Sequence, residues 1–237
     1  MRRLGGLFFA GILAASGCGT SAPKVSKVGN AEPAVPLREQ ARRLGLHYPL
    51  RQVFLRAFKT EKRLELWASN GNGPMVRVRG YSIAAASGDL GPKRQAGDLQ
   101  VPEGVYRIDR FNPHSRFHLS LGLNYPNASD RQRSNPKRPG TDIFIHGNRV
   151  SIGCLAMTDR VIDELYPVCE AAANRKSISV HIFPSRMDDA TMTELERRYP
   201  TQAGFWAELK PVYDAFETSH RVPRVAISSS GAYRLKA

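Results

Sequence analysis

Residues 52–83 read QVFLRAFKTEKRLELWASNGNGPMVRVRGYSI, and the pattern in this stretch decides the fold class. Apolar and polar side chains alternate in QVFLRAFK (52–59), LELWA (64–68) and MVRVRGYSI (75–83), while TEKR and NGNGP between them are turn material. A period of two turns alternate side chains to opposite faces, so each segment reads as a strand with one buried face. The expectation is an antiparallel meander.

Outward from the meander, further strand-like runs stand at 104–108, 117–123, 142–146 and 177–183. Helical periodicity begins only after them. From Thr158, a suitable N-cap, Val161, Ile162, Leu165, Val168, Cys169 and Ala172 recur at spacings of three and four, with Pro167 expected to kink the helix. A second helix is expected over 191–198. A third is expected over 203–216, with Phe205, Trp206, Leu209, Val212, Tyr213 and Phe216 as its face and Pro211 as another kink, before a short strand or hairpin over 222–233. Trp67 and Trp206 read as core. The fold class is mainly β with peripheral helices.

The chain has 237 residues, 41% hydrophobic and 24% charged, which suits one globular domain with a short appendage. Lys and Arg number 35 against 21 Asp and Glu, so a net charge of +14 draws the protein to polyanionic surfaces. Nucleic acid and a bacterial envelope both qualify, and the N-terminus favours the envelope. Arg2 and Arg3 precede an apolar run over 4–15, the length of a signal-peptide core and short of the roughly 20 residues that span a bilayer. Ala15, Ser16 and Gly17 then lead into Cys18, which resembles a lipoprotein cleavage and acylation site. Lipidation of Cys18 would anchor the mature chain to a membrane leaflet, and Gly19 after it fits the outer membrane. The stretch 20–36, rich in Ser, Pro, Ala and Gly, reads as a spacer. The expected organisation is a lipoprotein-like signal peptide at 1–18, a tether at 19–45, a catalytic domain at 46–186 and a helical C-terminal extension at 187–237 packed on it.

Chemistry concentrates in IHGNRVSIGCLAMTD, residues 145–159. A cysteine nucleophile needs help to ionise, since a free thiol titrates near 8.5. Cys154 lies between a strand and the helix that begins near Thr158, and His146 ends the preceding strand, placed to act as base. Gly153 permits a tight backbone whose amide, with that of Cys154, is expected to point at a developing oxyanion. Gly147 leaves room for a substrate chain or for a carbonyl that orients the imidazole. Cys169, on the apolar helix face, reads as a free, buried thiol.

The blocks GDLGPK (88–93), VPEGVY (101–106), His146-Gly147 and SIGC (151–154), in that order, resemble the L,D-transpeptidase catalytic-domain family. FNPHSRFHLS (111–120), LNYPNASDR (123–131), HIFP (181–184) and FWAELKPVYDAFE (205–217) are similar to its murein L,D-transpeptidase branch, which includes the endopeptidase that frees outer-membrane lipoprotein from peptidoglycan. The resemblance runs from residue 53 to the C-terminus. It implies a β-sandwich fold, a thioacyl-enzyme, and no metal or organic cofactor. Carried over, Cys154 is the nucleophile, His146 the general base and Gly147 the neighbour whose carbonyl steadies the imidazole, with Ser151 and Gly153 in the nucleophile loop. The implied partners are peptidoglycan stem peptides, a wall-linked lipoprotein and, through Cys18, a membrane; nucleic acid is not among them. The implied location is the bacterial periplasm, on the outer membrane.

Two positions depart from the family pattern. Where it has His two places before the cysteine and Arg or Asn two places after, this chain has Ile152 and Ala156. Their absence favours hydrolysis, since an acceptor amine has lost positioning groups. A transpeptidase forming 3-3 cross-links or attaching lipoprotein, and an inactive wall-binding lipoprotein, are the alternatives. Lys93 and Arg131 are candidates for substrate carboxylates. His114 and His118 have a helical metal-ligand spacing, but they fall on a strand, and no metal site is expected.

Overall fold

The computed structural model describes residues 35–71 and 73–236. The signal peptide, Cys18 and most of the tether lie outside the described residues. The meander expected from residues 52–83 is present as β1 (Gln52–Phe58), β2 (Arg63–Ser69) and β3 (Val76–Ser82), with Leu55 opposite Leu66 and Leu64 opposite Tyr81. The other strands are β4 (Gly104–Ser115), β5 (His118–Leu123), β6 (Phe144–His146), β7 (Leu155–Ala156) and β8 (Ser179–Phe183). They join the meander in one eight-stranded mixed sheet of order β3-β2-β1-β8-β4-β5-β6-β7.

β4 belongs to both halves of this sheet. Its first residues pair with β8, Gly104 opposite Ile182, and from Ile108 onward it pairs with β5 instead. The two ends of the order also meet. Just after β3, the amide of Ala84 donates to the Ala156 carbonyl (2.8 Å) and that of Ala156 to the Ala85 carbonyl (3.0 Å), so β7 is backed on its free edge by the continuation of the meander. Inside lies the main core, where α3 (Asp159–Ala173) sets Ile162, Leu165, Val168, Cys169 and Ala172 against Leu55, Leu66, Leu121 and Ile145. α3 continues through Pro167, and Thr158 caps it by accepting from the Val161 amide.

The alternation in β1 does not mean what it predicted. Val53, Leu55 and Ala57 face the main core, but the opposite face, Phe54, Arg56 and Phe58, is buried too. The reason is α5 (Ala203–Ser219), whose apolar face of Phe205, Trp206, Leu209, Val212, Tyr213 and Phe216 covers it. Arg56 is 1% exposed, paired with Glu217 of α5 at 2.5 Å and lying within 5.0 Å of the ring centroids of Tyr213 and Phe216. Trp67 is half-buried against Phe216 and His220.

Two short helices went unread in the sequence. Leu37–Arg43, assigned above to the tether, forms α1 with Leu37 and Ala41 buried, because the two positions share one helical face. Ala128–Arg133, read as loop, forms α2, closed at its N-terminus by a capping box between Asn127 and Asp130. The C-terminal segment comprises α4 (Asp189–Arg198), a 3-10 turn (Pro200–Gln202), α5, and a hairpin of β9 (Val225–Ile227) and β10 (Tyr233–Leu235). It positions the site from behind. Trp206 donates to Glu103 Oε2 (2.7 Å), while Glu103 Oε1 accepts from the Gly91 amide (2.7 Å) and pairs with Lys59 (3.0 Å). That buried carboxylate ties α5 to the segment 88–103.

Candidate active site

β6 and β7 run parallel, with Ile145 beside Leu155 and His146 beside Ala156. Extending the register by one residue puts Cys154 beside Phe144, so Cys154 and His146 occupy the same face as diagonal neighbours. The Phe144 amide donates to Cys154 Sγ at 3.4 Å, and the thiol reaches the Asp142 carbonyl at 3.7 Å. His146 Nδ1 lies 2.5 Å from the Gly147 carbonyl. A carbonyl only accepts, so Nδ1 carries the proton and Nε2 keeps a lone pair for a substrate or thiol proton. Both residues open into a groove of about 680 Å³, lined also by Lys93, Phe117, Phe144 and Ile152.

Electrostatics favours a neutral resting pair. Burial pushes the Cys154 thiol above its ordinary value, opposed by the Phe144 amide and the charge of Lys93. Burial also pushes His146 down, against the hydrogen bond to Gly147 that would raise it. Near neutral pH both groups therefore stand uncharged, and the imidazole is available as a base. The arrangement suits transfer of the thiol proton to His146 as sulfur attacks a carbonyl, in place of a preformed thiolate–imidazolium pair.

The nucleophile loop corrects one expectation. Gly153 takes φ +113°, and a Cβ there would lie 3.2 Å from the Gln100 carbonyl, so the position needs glycine. Its amide donates to Ser87 Oγ (2.6 Å), whose hydroxyl donates to the Leu99 carbonyl (2.7 Å). The Cys154 amide donates to Ser151 Oγ (3.1 Å), and Ser151 donates back to the Cys154 carbonyl (2.6 Å). Both amides expected to face an oxyanion are thus taken by serine hydroxyls, that of Gly153 by Ser87 and that of Cys154 by Ser151. Ser151 braces the backbone of Cys154.

Of the other candidates, the structure brings Lys93 to the groove, 4% exposed, and the Gly147 carbonyl to His146. It does not bring Arg131 there. Arg131 belongs to α2, donates to the Pro126 carbonyl, and lines a different hollow with Asn124 and Tyr233. Cys169 is fully buried. His114 lines the groove, whereas His118 pairs with Asp163 at 2.6 Å. Among the described residues, no three His, Cys, Asp or Glu side chains are grouped to hold a metal.

Three contributors were missed in the sequence. Ser87 is 66 positions from the amide it caps, Phe117 sets its ring 4.8 Å from that of His146, and Asp98 holds Lys93. Of these only Asp98, close to Lys93 in a Gly- and Pro-containing loop, had a local signal.

The sequence is similar to those of known proteins. A model of the YkuD family, the L,D-transpeptidase catalytic domain, matches residues 53–182. The chain is 34% identical over 204 residues to "Putative L,D-transpeptidase YafK" of Escherichia coli K12, covering 84% of this chain and 79% of that protein. Among solved structures it is similar to the helical cell shape determining protein Pgp2 of Campylobacter jejuni, with a TM-score of 0.47 and 17% identity over 81% of this chain and 80% of that one. It is similar also to Bd1075 of Bdellovibrio bacteriovorus, with a TM-score of 0.39 and 18% identity over 73% and 62% of the two chains. The family match takes in His146, Gly147, Ser151, Gly153 and Cys154 together, and the chain belongs to the YkuD family of L,D-transpeptidase catalytic domains.

Proposed function

We propose that the peptidoglycan remodelling supported by this family membership is hydrolysis here, specifically of the amide that links a diaminopimelate residue of the wall to the terminal lysine of an outer-membrane lipoprotein. Cys154 Sγ attacks the diaminopimelate carbonyl while His146 Nε2 takes the thiol proton. The tetrahedral intermediate then collapses, and the leaving amine departs with that proton, leaving a thioester on Cys154. Water, deprotonated by the same imidazole, attacks the thioester and releases the wall carboxylate and the free thiol.

The observation that carries hydrolysis over transfer is the state of residues 152 and 156. Ile152 is 79% exposed at the rim of the groove, and Ala156 is wholly buried between His146 and Ala85. Neither offers a polar group to hold an acceptor amine in line against bulk water. The basic N-terminus and the lipobox-like approach to Cys18 support export to the periplasm and anchorage to the outer membrane. No helix among the described residues is long and apolar enough to cross a membrane.

The test is digestion of lipoprotein-bearing sacculi, with products identified by mass. Release of lipoprotein by the parent and none by Cys154→Ala is the expected result. New dimers joined between two diaminopimelate residues, with lipoprotein still bound, would reverse the assignment to transpeptidation.

A further inference from the structure

The reaction proposed above places negative charge beside Cys154 twice, on sulfur as it loses its proton and on the carbonyl oxygen of the tetrahedral intermediate. The groove holds few groups to meet it. The Gly153 and Cys154 amides are committed to Ser87 and Ser151, and the Phe144 amide is given to the sulfur. Several charged or titratable side chains face the groove. Asp142, from the segment before β6, has the wrong sign; His146, from β6, is the base; His114 and Arg116 stand exposed near the tip of the β4–β5 hairpin. The remaining one is Lys93.

Lys93 is built in where those two hairpin residues are not. It is 4% exposed, and its stem passes so close beneath Gly140 that a Cβ there would lie 2.8 Å from Lys93 Cε. Its ammonium donates to the Gln95 carbonyl (2.9 Å) and to Asp98 Oδ1. Asp98 is itself fixed, accepting from the amides of Arg94 (2.8 Å), Gln95 (2.9 Å) and Gln100 (3.1 Å). Withdrawing an ammonium from water is unfavourable even beside one carboxylate, so a methionine of similar length would fill this space at less cost if packing were the whole role.

We propose that Lys93, held in place by Asp98, is the fixed positive charge that stabilises negative charge at Cys154, first on the sulfur and then on the oxyanion. Lys93 stays protonated throughout. The thiol proton goes to His146 Nε2, the new S–C bond forms as the carbonyl π pair moves onto oxygen, and the ammonium contributes only its field. The direction agrees with the thiol's surroundings, in which burial and Asp142 push the Cys154 proton affinity up while the Phe144 amide and Lys93 pull it down. Asp98 sets how much of that field reaches the sulfur.

The oxyanion half rests on the acylation of Cys154 proposed above, whether water or an amine then resolves the thioester, but the sulfur half does not, and an assay without peptidoglycan separates them. The rate of iodoacetamide alkylation of Cys154 in the full chain is followed against pH, with the modified peptide quantified by mass so that other thiols do not contribute. Lys93→Met is expected to move the half-maximal pH up by about half a unit or more, as loss of a nearby opposite charge does. Asp98→Asn is expected to move it down, because the ammonium is then unneutralised. Lys93→Arg is expected to titrate near the parent. Met and Asn variants that shift in the same direction, as two routes to breaking one structural pair would, overturn the proposal. So does no shift in either, or an Arg variant that behaves like the Met variant.

Discussion

Gly147→Ala tests how tightly the base is held. A Cβ at this position would lie 2.6 Å from Asp159 Oδ1, 2.8 Å from the Phe117 carbonyl and 3.0 Å from His118 Cβ. The Asp159 carboxylate can swing away, but only by giving up the Asn148 amide it accepts at 2.6 Å. The Phe117 carbonyl is backbone and has less freedom. Overpacking of this kind destabilises by about 1–3 kcal/mol. At about 2–4 °C per kcal/mol for a domain of this size, the melting temperature should fall by roughly 4–8 °C for a mid-range loss. The more informative effect is on function, because relief of the clash moves the Gly147 carbonyl that accepts from His146 Nδ1 at 2.5 Å. A displacement near 1 Å in such a group lowers turnover by about 100-fold. Scanning calorimetry reads the first effect, and release of product from sacculi at neutral pH reads the second. Alkylation of Cys154 at high pH, where the thiol ionises without a base, should remain at the parental rate. An alanine variant that melts and turns over like the parent would refute the reasoning.

Phe117→Ala uncovers the imidazole, and since burial is what holds His146 low, its proton affinity should rise and the acid limb of the activity profile should move to higher pH. Phe117→Tyr should restore the parental limb; an unmoved limb in the alanine variant would show that the ring does not shield the base. His181, fully buried in β8 with Phe54 and Phe183 rings around it, is pushed down to about 3 by burial and then by the charge of Arg56. Below its unfolded value near 6.5 the unfolded chain binds a proton that the native chain refuses, so stability falls with acid at up to about 1.4 kcal/mol per pH unit until about pH 3. Asp130, pushed up to about 6 by burial, has the opposite sign over part of that range, so the measurement compares His181→Phe with the parent. Urea unfolding between pH 4 and pH 7 should show a shallower acid decline in the variant, and equal slopes would reject the assignment.

The sequence carried the strand and helix inventory well where the signal was periodic and long. The meander and α3 lay where alternation and the three-and-four spacing put them, and α5 ran three residues further than expected, to Ser219. It failed where meaning depended on a distant partner. Arg56 looked like the wet side of a strand, and only α5, with Glu217 161 positions away, makes that side dry. Cys154 and His146 could be paired because both stand in one short stretch with glycines beside them. The hydroxyl that occupies the Gly153 amide could not, since nothing near Ser87 in the chain announces it.

That asymmetry has a structural cause. Ser87 reaches the nucleophile loop because Ala84 and Ala85, three and two residues before it, pair with Ala156 and close the sheet. Ala156 thus stands between this pairing on one edge and His146 of β6 on the other. Closure therefore does two things with one pair of residues. It backs the two-residue edge strand that follows the cysteine, and it delivers the serine that holds the loop. A chain that kept Cys154 and His146 but lost this closure would keep the dyad's residues without their register, because β7 is only two residues long and its other support is β6 alone.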